Sequence, residues 1–324
     1  MKKTSIILLI GIISSTGFLI FSNSSASKLA LRLGSSPWPG YETLFLARSL
    51  GYLDKSSVRL VELSSATEVI HALRNGRLEI ALLTLDETLT LLSTGVDLTV
   101  VAVMDISSGA DAILTNPKYK SLHDLKGKRI GVESSAVGAV VLNSALELAG
   151  MSSFDFTIVP LTINQHRESY VENKIDAVVT FEPVKSYLLS QGAVTLFDSS
   201  QVPGRIVDVL VVRSSILETH TDSICALVKA QLQALEYFKN HSKEATQLMA
   251  PRLQMLPEDL LISYQGITLP GLAENRILLG ESDTSLHASA KELAELMLDL
   301  RLLKRTPNMS NLIDNRCVEG EGFE

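Results

Sequence analysis

The sequence predicts an α/β protein of two lobes, each a mostly parallel sheet flanked by helices, with a ligand cleft between them. Three observations predict it. From residue 29 to residue 212, short apolar runs alternate with helical patterns, the order that parallel sheets with right-handed crossovers require. Aromatic residues make up 5% of the chain while hydrophobic residues reach 46%, an aliphatic bias that suits strands buried on both faces. Two polar crossings, near residues 105–110 and 198–206, interrupt the alternation and divide the chain in three. Residues 27–108 and 207–305 then build one lobe, residues 109–206 the other, and residues 306–324 a loose tail. A chain of 324 residues is long enough for both lobes.

Residues 1–26 read as a cleavable secretory signal. Lys2 and Lys3 precede an apolar run from Ile6 to Phe21, and Ser24-Ser25-Ala26 offers the small residues that a signal peptidase reads. An uncleaved anchor is the alternative, although the run is short for a membrane span and polar in its middle. With no Cys near residue 20, a lipid-anchored form is not expected.

Leu29 to Leu33 is the first strand. The loop Gly34-Ser35-Ser36-Pro37-Trp38-Pro39-Gly40-Tyr41 follows, stiffened by its two prolines and holding the one tryptophan of the chain. A loop past the carboxyl end of a strand is where open α/β sheets bind ligands. Trp38 and Tyr41 therefore read as an aromatic pocket wall, with a structural plug over the strand end as the alternative. A helix runs from Leu44 toward a Gly51 cap. Val58 to Leu63 is a strand, and Ser65-Ala66-Thr67-Glu68 has the form of a capping box opening the next helix, which stops at Gly76. Glu79 to Leu83, Leu98 to Met104, Ala112 to Leu114 and Arg129 to Val132 are strands, with a helix from Asp86 to Ser93 and a longer one from Ser135 to Ala149. Phe156 to Val159, Ile175 to Thr180, Val194 to Phe197 and Ile206 to Val212 complete the strands. Beyond Arg213 the chain turns helical, over Asp222 to Asn240, Ser242 to Met249, Pro257 to Gln265 and Leu286 to Leu303.

Net charge is −7, and removal of Lys2 and Lys3 makes it more negative. An acidic chain without basic runs is a poor partner for nucleic acid or anionic membranes. Its two cysteines do not make a disulfide framework. Cys225 reads as a buried helix residue and Cys317 lies in a polar tail, so they are expected to stay unpaired. The six histidines (His71, His123, His166, His220, His241 and His287) show no metal spacing and read as surface or capping residues. His-Glu-x-x-His, Cys-x-x-Cys, the phosphate loop and Gly-x-Ser-x-Gly are all missing. No cofactor or metal is expected.

Four runs carry a resemblance: Pro37-Trp38-Pro39-Gly40-Tyr41, Gly76-Arg77-Leu78-Glu79-Ile80-Ala81, Leu125-Lys126-Gly127-Lys128-Arg129-Ile130-Gly131-Val132-Glu133, and Lys174-Ile175-Asp176-Ala177-Val178-Val179-Thr180-Phe181-Glu182-Pro183. In this order they resemble the periplasmic substrate-binding proteins of nitrate, sulfonate, taurine and thiamine-pyrimidine ABC importers, over residues 28 to 240. The resemblance implies a type II periplasmic binding-protein fold. It also implies a small-molecule ligand held in a hinged cleft, and a membrane permease and ATPase as partners of a monomer in the periplasm. A sensory binding protein that presents its closed form to a membrane receptor is a second possibility. A biosynthetic enzyme of the same fold is a third, although the Cys-rich segment of those enzymes is missing. The tail after Arg305 matches nothing in the family.

Loops after strands should face the cleft, and here they carry acids: Glu42 after the first strand, Thr84-Leu85-Asp86-Glu87 after the third, Asp105, Glu133-Ser134-Ser135, Glu182, and Asp208 at the return crossing. Residues 34–43, 84–88, 105–111, 133–140 and 180–184 contain no Lys or Arg. The nearest basic candidates are His166, Arg167, Lys185 and Arg205. Any one acid alone reads equally as a helix cap or a partner of the helix dipole. As a set they favour a cationic, amine-bearing or zwitterionic ligand stacked on Trp38 and Tyr41. A plain anion would want free helix N-termini or an added Arg. The expected binding residues are Trp38, Tyr41, Glu42, Thr84, Asp86, Glu133, Ser134, Ser135, Glu182 and Asp208.

Overall fold

The computed structural model of the chain describes residues 30–133 and 136–320. The expected signal at residues 1–26 lies outside them. Among the described residues no helix is long and apolar enough to cross a membrane.

The strands are β1 (Leu31–Ser35), β2 (Val58–Glu62), β3 (Ile80–Thr84), β4 (Leu98–Ser107), β5 (Asp111–Thr115), β6 (Arg129–Val132), β7 (Thr157–Pro160), β8 (Ala177–Phe181), β9 (Val194–Asp198), β10 (Val207–Arg213) and β11 (Ile267–Thr268). The helices are α1 (Glu42–Ser49), α2 (Ala66–Arg74), α3 (Leu85–Ser93), α4 (Ala136–Ala149), α5 (Ile163–Val171), α6 (Val184–Ser190), α7 (Ser214–Leu217), α8 (Thr221–Asn240), α9 (Ser242–Leu253), α10 (Pro257–Ser263), α11 (Leu272–Leu278), α12 (Leu286–Asp299) and α13 (Arg316–Glu319). Helix α2 starts as its sequence suggests, with the Ser65 side chain accepting from the Glu68 N–H.

Two sheets form, ordered β11-β4-β10-β3-β1-β2 and β7-β6-β8-β5-β9. Both are mixed, which corrects the expectation of mostly parallel sheets. β1 runs parallel to β2 and β3, and β6 parallel to β7 and β8. β10 is antiparallel to both β3 and β4, and β5 to both β8 and β9. The reason is topological. β4 carries the chain out of the first lobe and β10 brings it back, and because the two are hydrogen-bonded neighbours they must run in opposite senses.

The inner strands β3, β4, β5, β8 and β10 are buried almost throughout, while β2, β7 and β9 are partly exposed; β3 and β10 form one core with α1, α2, α3, α8 and α12, and the second sheet packs separate apolar clusters on its two faces. The crossing between lobes is polar and tied. Ser107 Oγ lies 2.8 Å from Ser199 Oγ, which also accepts from the Gly109 N–H at 2.6 Å. Lys185 Nζ donates to the Gly109 carbonyl at 2.8 Å. β4 is longer than expected and takes Asp105 into the sheet.

The tail is held, which corrects the expectation of a loose segment through residue 320. β4 has an open edge, and unpaired backbone groups there need partners. The Val100 N–H donates to the Leu312 carbonyl at 2.7 Å, and the Asp314 N–H to the Val100 carbonyl at 3.0 Å. Asn275 covers the next stretch of the same edge, accepting from the Val103 N–H at 2.7 Å and donating back to its carbonyl at 3.1 Å. Leu312, Cys317 and Val318 are buried. Cys317 on α13 is disulfide-bonded to Cys225 on α8, with Cα atoms 4.7 Å apart. The expectation that these cysteines stay unpaired is therefore overturned. Three apolar anchors in a polar tail seat α13 on α8, and the seat brings the thiols together.

The bridge closes a loop of 92 residues, so the chain-entropy relation gives it about 4.6 kcal/mol. Urea unfolding of Cys225→Ser or of the reduced protein should show a loss of about that size, with the described fold retained. An unchanged midpoint would mean that the bridge does not form in solution.

Candidate functional site

The site is built where β4 and β10 leave the first sheet. β1 ends at Ser35, and the loop turns through a short 3-10 helix, Pro39–Tyr41, whose first residue needs no N–H donor. Gly40 is required there: a Cβ at that position would stand 1.8 Å from Asp105 Oδ2 and 2.5 Å from Trp38 Nε1. Those two atoms hydrogen-bond, the indole donating at 3.0 Å. Tyr41 OH donates to Asp208 Oδ1. The register sets Asp208 opposite Asp105 on β4 and opposite Thr84 on β3.

The start of α3 adds two more acids. Glu87 Oε2 accepts from the Thr84 N–H at 3.0 Å and so caps its own helix, and Asp86 is buried beside it. From the second lobe come Asp111 at the start of β5 and Phe181 at the end of β8, which face each other in register. Trp38 meets Phe181 edge-on across the cleft, with centroids 5.8 Å apart. Glu133 reaches across to the start of α2, where its Oε1 accepts from Thr67 Oγ1 at 2.8 Å. Ser36, Trp38, Tyr41, Thr84, Glu87, Asp111, Phe181 and Asp208 face a common cavity of about 30 Å³.

The electrostatics are those of crowded acids out of water. Burial pushes the Asp86 carboxyl up to about 7. It does the same to Asp105, where the Trp38 hydrogen bond opposes it, and it takes Asp111 to about 6. Glu87 and Asp208 are driven well above the carboxylate range, by burial first and then by the charges of Asp86 and Asp105 respectively. Burial, reinforced by Asp208, also holds the Tyr41 phenol well above its ordinary value. Asp86 Oδ2, Glu87 Oε1, Asp105 Oδ1 and Asp111 Oδ2 meet no hydrogen-bond donor among the described residues. Such a site favours anything that brings positive charge and N–H donors. Among the described residues no group of three or more His, Cys, Asp or Glu is placed to hold a metal ion.

The structure brings Trp38, Tyr41, Thr84, Asp86 and Asp208 to the cluster, with Glu133 at its edge. Ser134 and Ser135 lie outside the described residues. Glu182 is buried on the second lobe, where it accepts from the Ser186 N–H at 3.0 Å and faces Lys185 at 3.5 Å. Glu42 points away from the cavity. Arg252 Nε donates to it at 2.7 Å while the guanidinium stacks 3.7 Å over the Phe45 ring. Even so, burial takes Glu42 up to about 7. Of the basic candidates, Lys185 reaches the rim of the cluster and Arg205 pairs with Glu147 at 3.3 Å. His166 is buried with Nδ1 3.2 Å from Thr180 Oγ1, and burial pushes it down to about 4. Glu87, Asp105, Asp111, Ser36 and Phe181 were not among the expected binding residues. For Glu87 and Asp105 the signal was their place after strands; Asp111 sits just past the crossing.

A family model described as NMT1/THI5 like matches residues 38–245. A protein named for binding aliphatic sulfonates, from Escherichia coli (strain K12), is 28% identical over 192 residues, 57% of this chain and 59% of its own. The 4-amino-5-hydroxymethyl-2-methylpyrimidine phosphate synthase THI11 of Saccharomyces cerevisiae is 25% identical over 177 residues, 52% of each chain. The chain thus spans a little over half the length of the curated relatives it matches. Among solved structures, the alkanesulfonate-binding protein SsuA from Xanthomonas axonopodis pv. citri, bound to MOPS, superposes with a TM-score of 0.77. Its identity is 18%, over 90% of this chain and 100% of that one. The likeness bears out the two-lobed type II periplasmic binding-protein fold.

A carboxyl whose pKa is higher folded than unfolded binds more protons in the native state, so native stability falls as pH rises between the two values. For Asp86 and Asp105 that interval runs from about pH 4 to about pH 7, and for Asp111 to about pH 6. Without added solute, the protein should resist urea best in mild acid and weaken toward about pH 7.5. Asp208→Asn, which keeps an acceptor for Tyr41, should flatten the slope. A stability that climbs through the same interval contradicts the raised carboxyls.

Proposed function

The chain belongs to the NMT1/THI5-like family, and on that footing we propose that it is an extracytoplasmic solute-binding protein that captures an amine-bearing cation and passes it to an ABC import permease. The observation that carries the sign of the ligand is the cluster of Asp86, Glu87, Asp105, Asp111 and Asp208, buried beside Trp38 and Tyr41. Two helix starts that would serve an anion are already taken by carboxylates of the chain, Glu133 at α2 and Glu87 at α3. A sulfonate entering the cavity would face the carboxyls of Glu87, Asp111 and Asp208. An aminopyrimidine, the moiety in the name of the yeast relative, offers the opposite: a protonable ring nitrogen and an exocyclic amine side by side, matched to a carboxylate, with a flat face for Trp38.

Capture is by closure of the lobe at residues 109–206 onto the rest of the chain about the Ser107–Gly109 and Ser199 crossings. The closed form is what a permease, powered by its ATPase, would recognise. We take the protein as a monomer that binds rather than transforms its solute. The Cys225–Cys317 bridge supports an oxidising compartment, in keeping with the periplasm and with the N-terminal signal pattern.

Calorimetric titration against amines, 4-aminopyrimidine, zwitterionic amino acids, alkanesulfonates and nitrate tests the sign. Amines should bind, and Asp208→Asn or Asp86→Asn should weaken them by about thirtyfold to several thousandfold, the range for unpairing a buried charge. If Asp86 only serves its helix start, Asn there should be silent, since Asn is well accepted there. Because the carboxyls must release protons to meet a cation, affinity should rise from pH 5.5 to 7.5. Tight sulfonate or nitrate binding with no response to amines would refute the reading.

A further inference from the structure

The cleft has a second chamber. A groove of about 750 Å³ lies at its mouth, lined mostly from α5, α6, α9 and α10, and it meets the acidic cavity at two shared loops. Ser36 and Trp38 face the small chamber while Pro37 faces the groove; Phe181 faces the small chamber while Pro183 faces the groove. The Trp38–Phe181 edge contact is the partition. Volume separates the chambers' roles. The inner one, about 30 Å³, has room for an ammonium or the edge of an amidine and for little else. The outer one falls in the range of pockets that hold whole small molecules.

Their chemistry differs as sharply. The inner chamber is acidic. The groove is mixed: Ile163, Val184, Leu253, Met255, Leu256 and the prolines give it apolar walls, with Ser64, Asn164, Ser186 and Gln254 between them. Of the charges on its walls, Arg252 is held by Glu42 and Glu62, Arg167 stacks its guanidinium 3.4 Å over the Tyr187 ring, and Asp259 is the one acid among the described residues that line it. Leu256 is 58% exposed on this wall, an apolar surface awaiting cover.

We propose that the solute is a two-part molecule, its amine-bearing head entering past the Trp38–Phe181 partition into the acidic chamber and an uncharged apolar body lying in the outer groove. This rests on the amine reading above and adds the ligand's length and the character of its far end. The groove supplies affinity through apolar burial and the inner chamber supplies the sign, so the two are separable by mutation.

The test uses the full mature chain and two heads, a primary ammonium and 4-aminopyrimidine, each bare and bearing a 3-phenylpropyl tail, titrated by calorimetry. The tail should raise affinity at least tenfold on the head that binds. In the double variant Val184→Ser, Leu256→Ser that gain should shrink to under threefold. Leu256→Ser alone, at an exposed position, should show a smaller loss in the same direction and serves if the double variant folds poorly. Equal affinity for bare and tailed heads, or a gain that survives both variants, overturns the two-part ligand while leaving the amine reading intact. Failure of every amine to bind, bare or tailed, overturns both.

Discussion

Two aspartates face each other on neighbouring strands, and much of the site follows from that fact. Asp105 and Asp208 are paired in register where β4 and β10 cross out of the first sheet, and both are buried. Like charges opposite one another on a sheet are destabilising, and a dry pair of carboxylates shares a proton rather than ionising twice. Their surroundings answer this constraint. Trp38 donates to one and Tyr41 to the other, which is why the loop after β1 must place both rings against the strand ends. The close approach of Asp105 to the backbone leaves room only for glycine at position 40. A loop that looks in sequence like a ligand wall is therefore also the solvation of two buried acids.

Burial raises the carboxyls of this pocket, so they hold protons more readily than exposed acids do. On the amine reading, a cation entering it would replace protons, and its charge would be shared by acids from both lobes: Asp86, Glu87, Asp105 and Asp208 from one, Asp111 from the other. Attraction to a common ligand would then add to the contacts that already join the lobes, the Trp38–Phe181 edge and the Glu133 clasp on α2. Binding and closure are in this view one electrostatic event, with the crossing at Ser107 and Ser199 as its pivot.

Much of this was legible in the sequence, and the gaps have physical causes. Strand–helix alternation revealed the elements, and β10 was visible as an apolar run with Asp208 inside it. The acids after strands pointed to the cluster because period-two alternation and strand ends fix where such residues go. Glu42 was misassigned because its partner, Arg252, is 210 residues away, and no local pattern reports so distant a pairing. The same distance problem hid the disulfide: Cys225 and Cys317 meet only because β4 has an open edge that Leu312 and Asp314 satisfy. Strand direction was missed because apolar runs carry no polarity; only the crossing topology makes β10 and β5 antiparallel. Asp111 was hidden by the crossing itself, whose polar residues read as linker.

The central claim is that buried acids select a cationic solute. The most direct measurement is mass spectrometry of the small molecules released when the natively purified protein is denatured. The account predicts a released compound with a basic nitrogen, present in amounts comparable to the protein and much reduced from Asp208→Asn. Release of a sulfonate or another anion without a basic nitrogen, at the same level from both proteins, would contradict it.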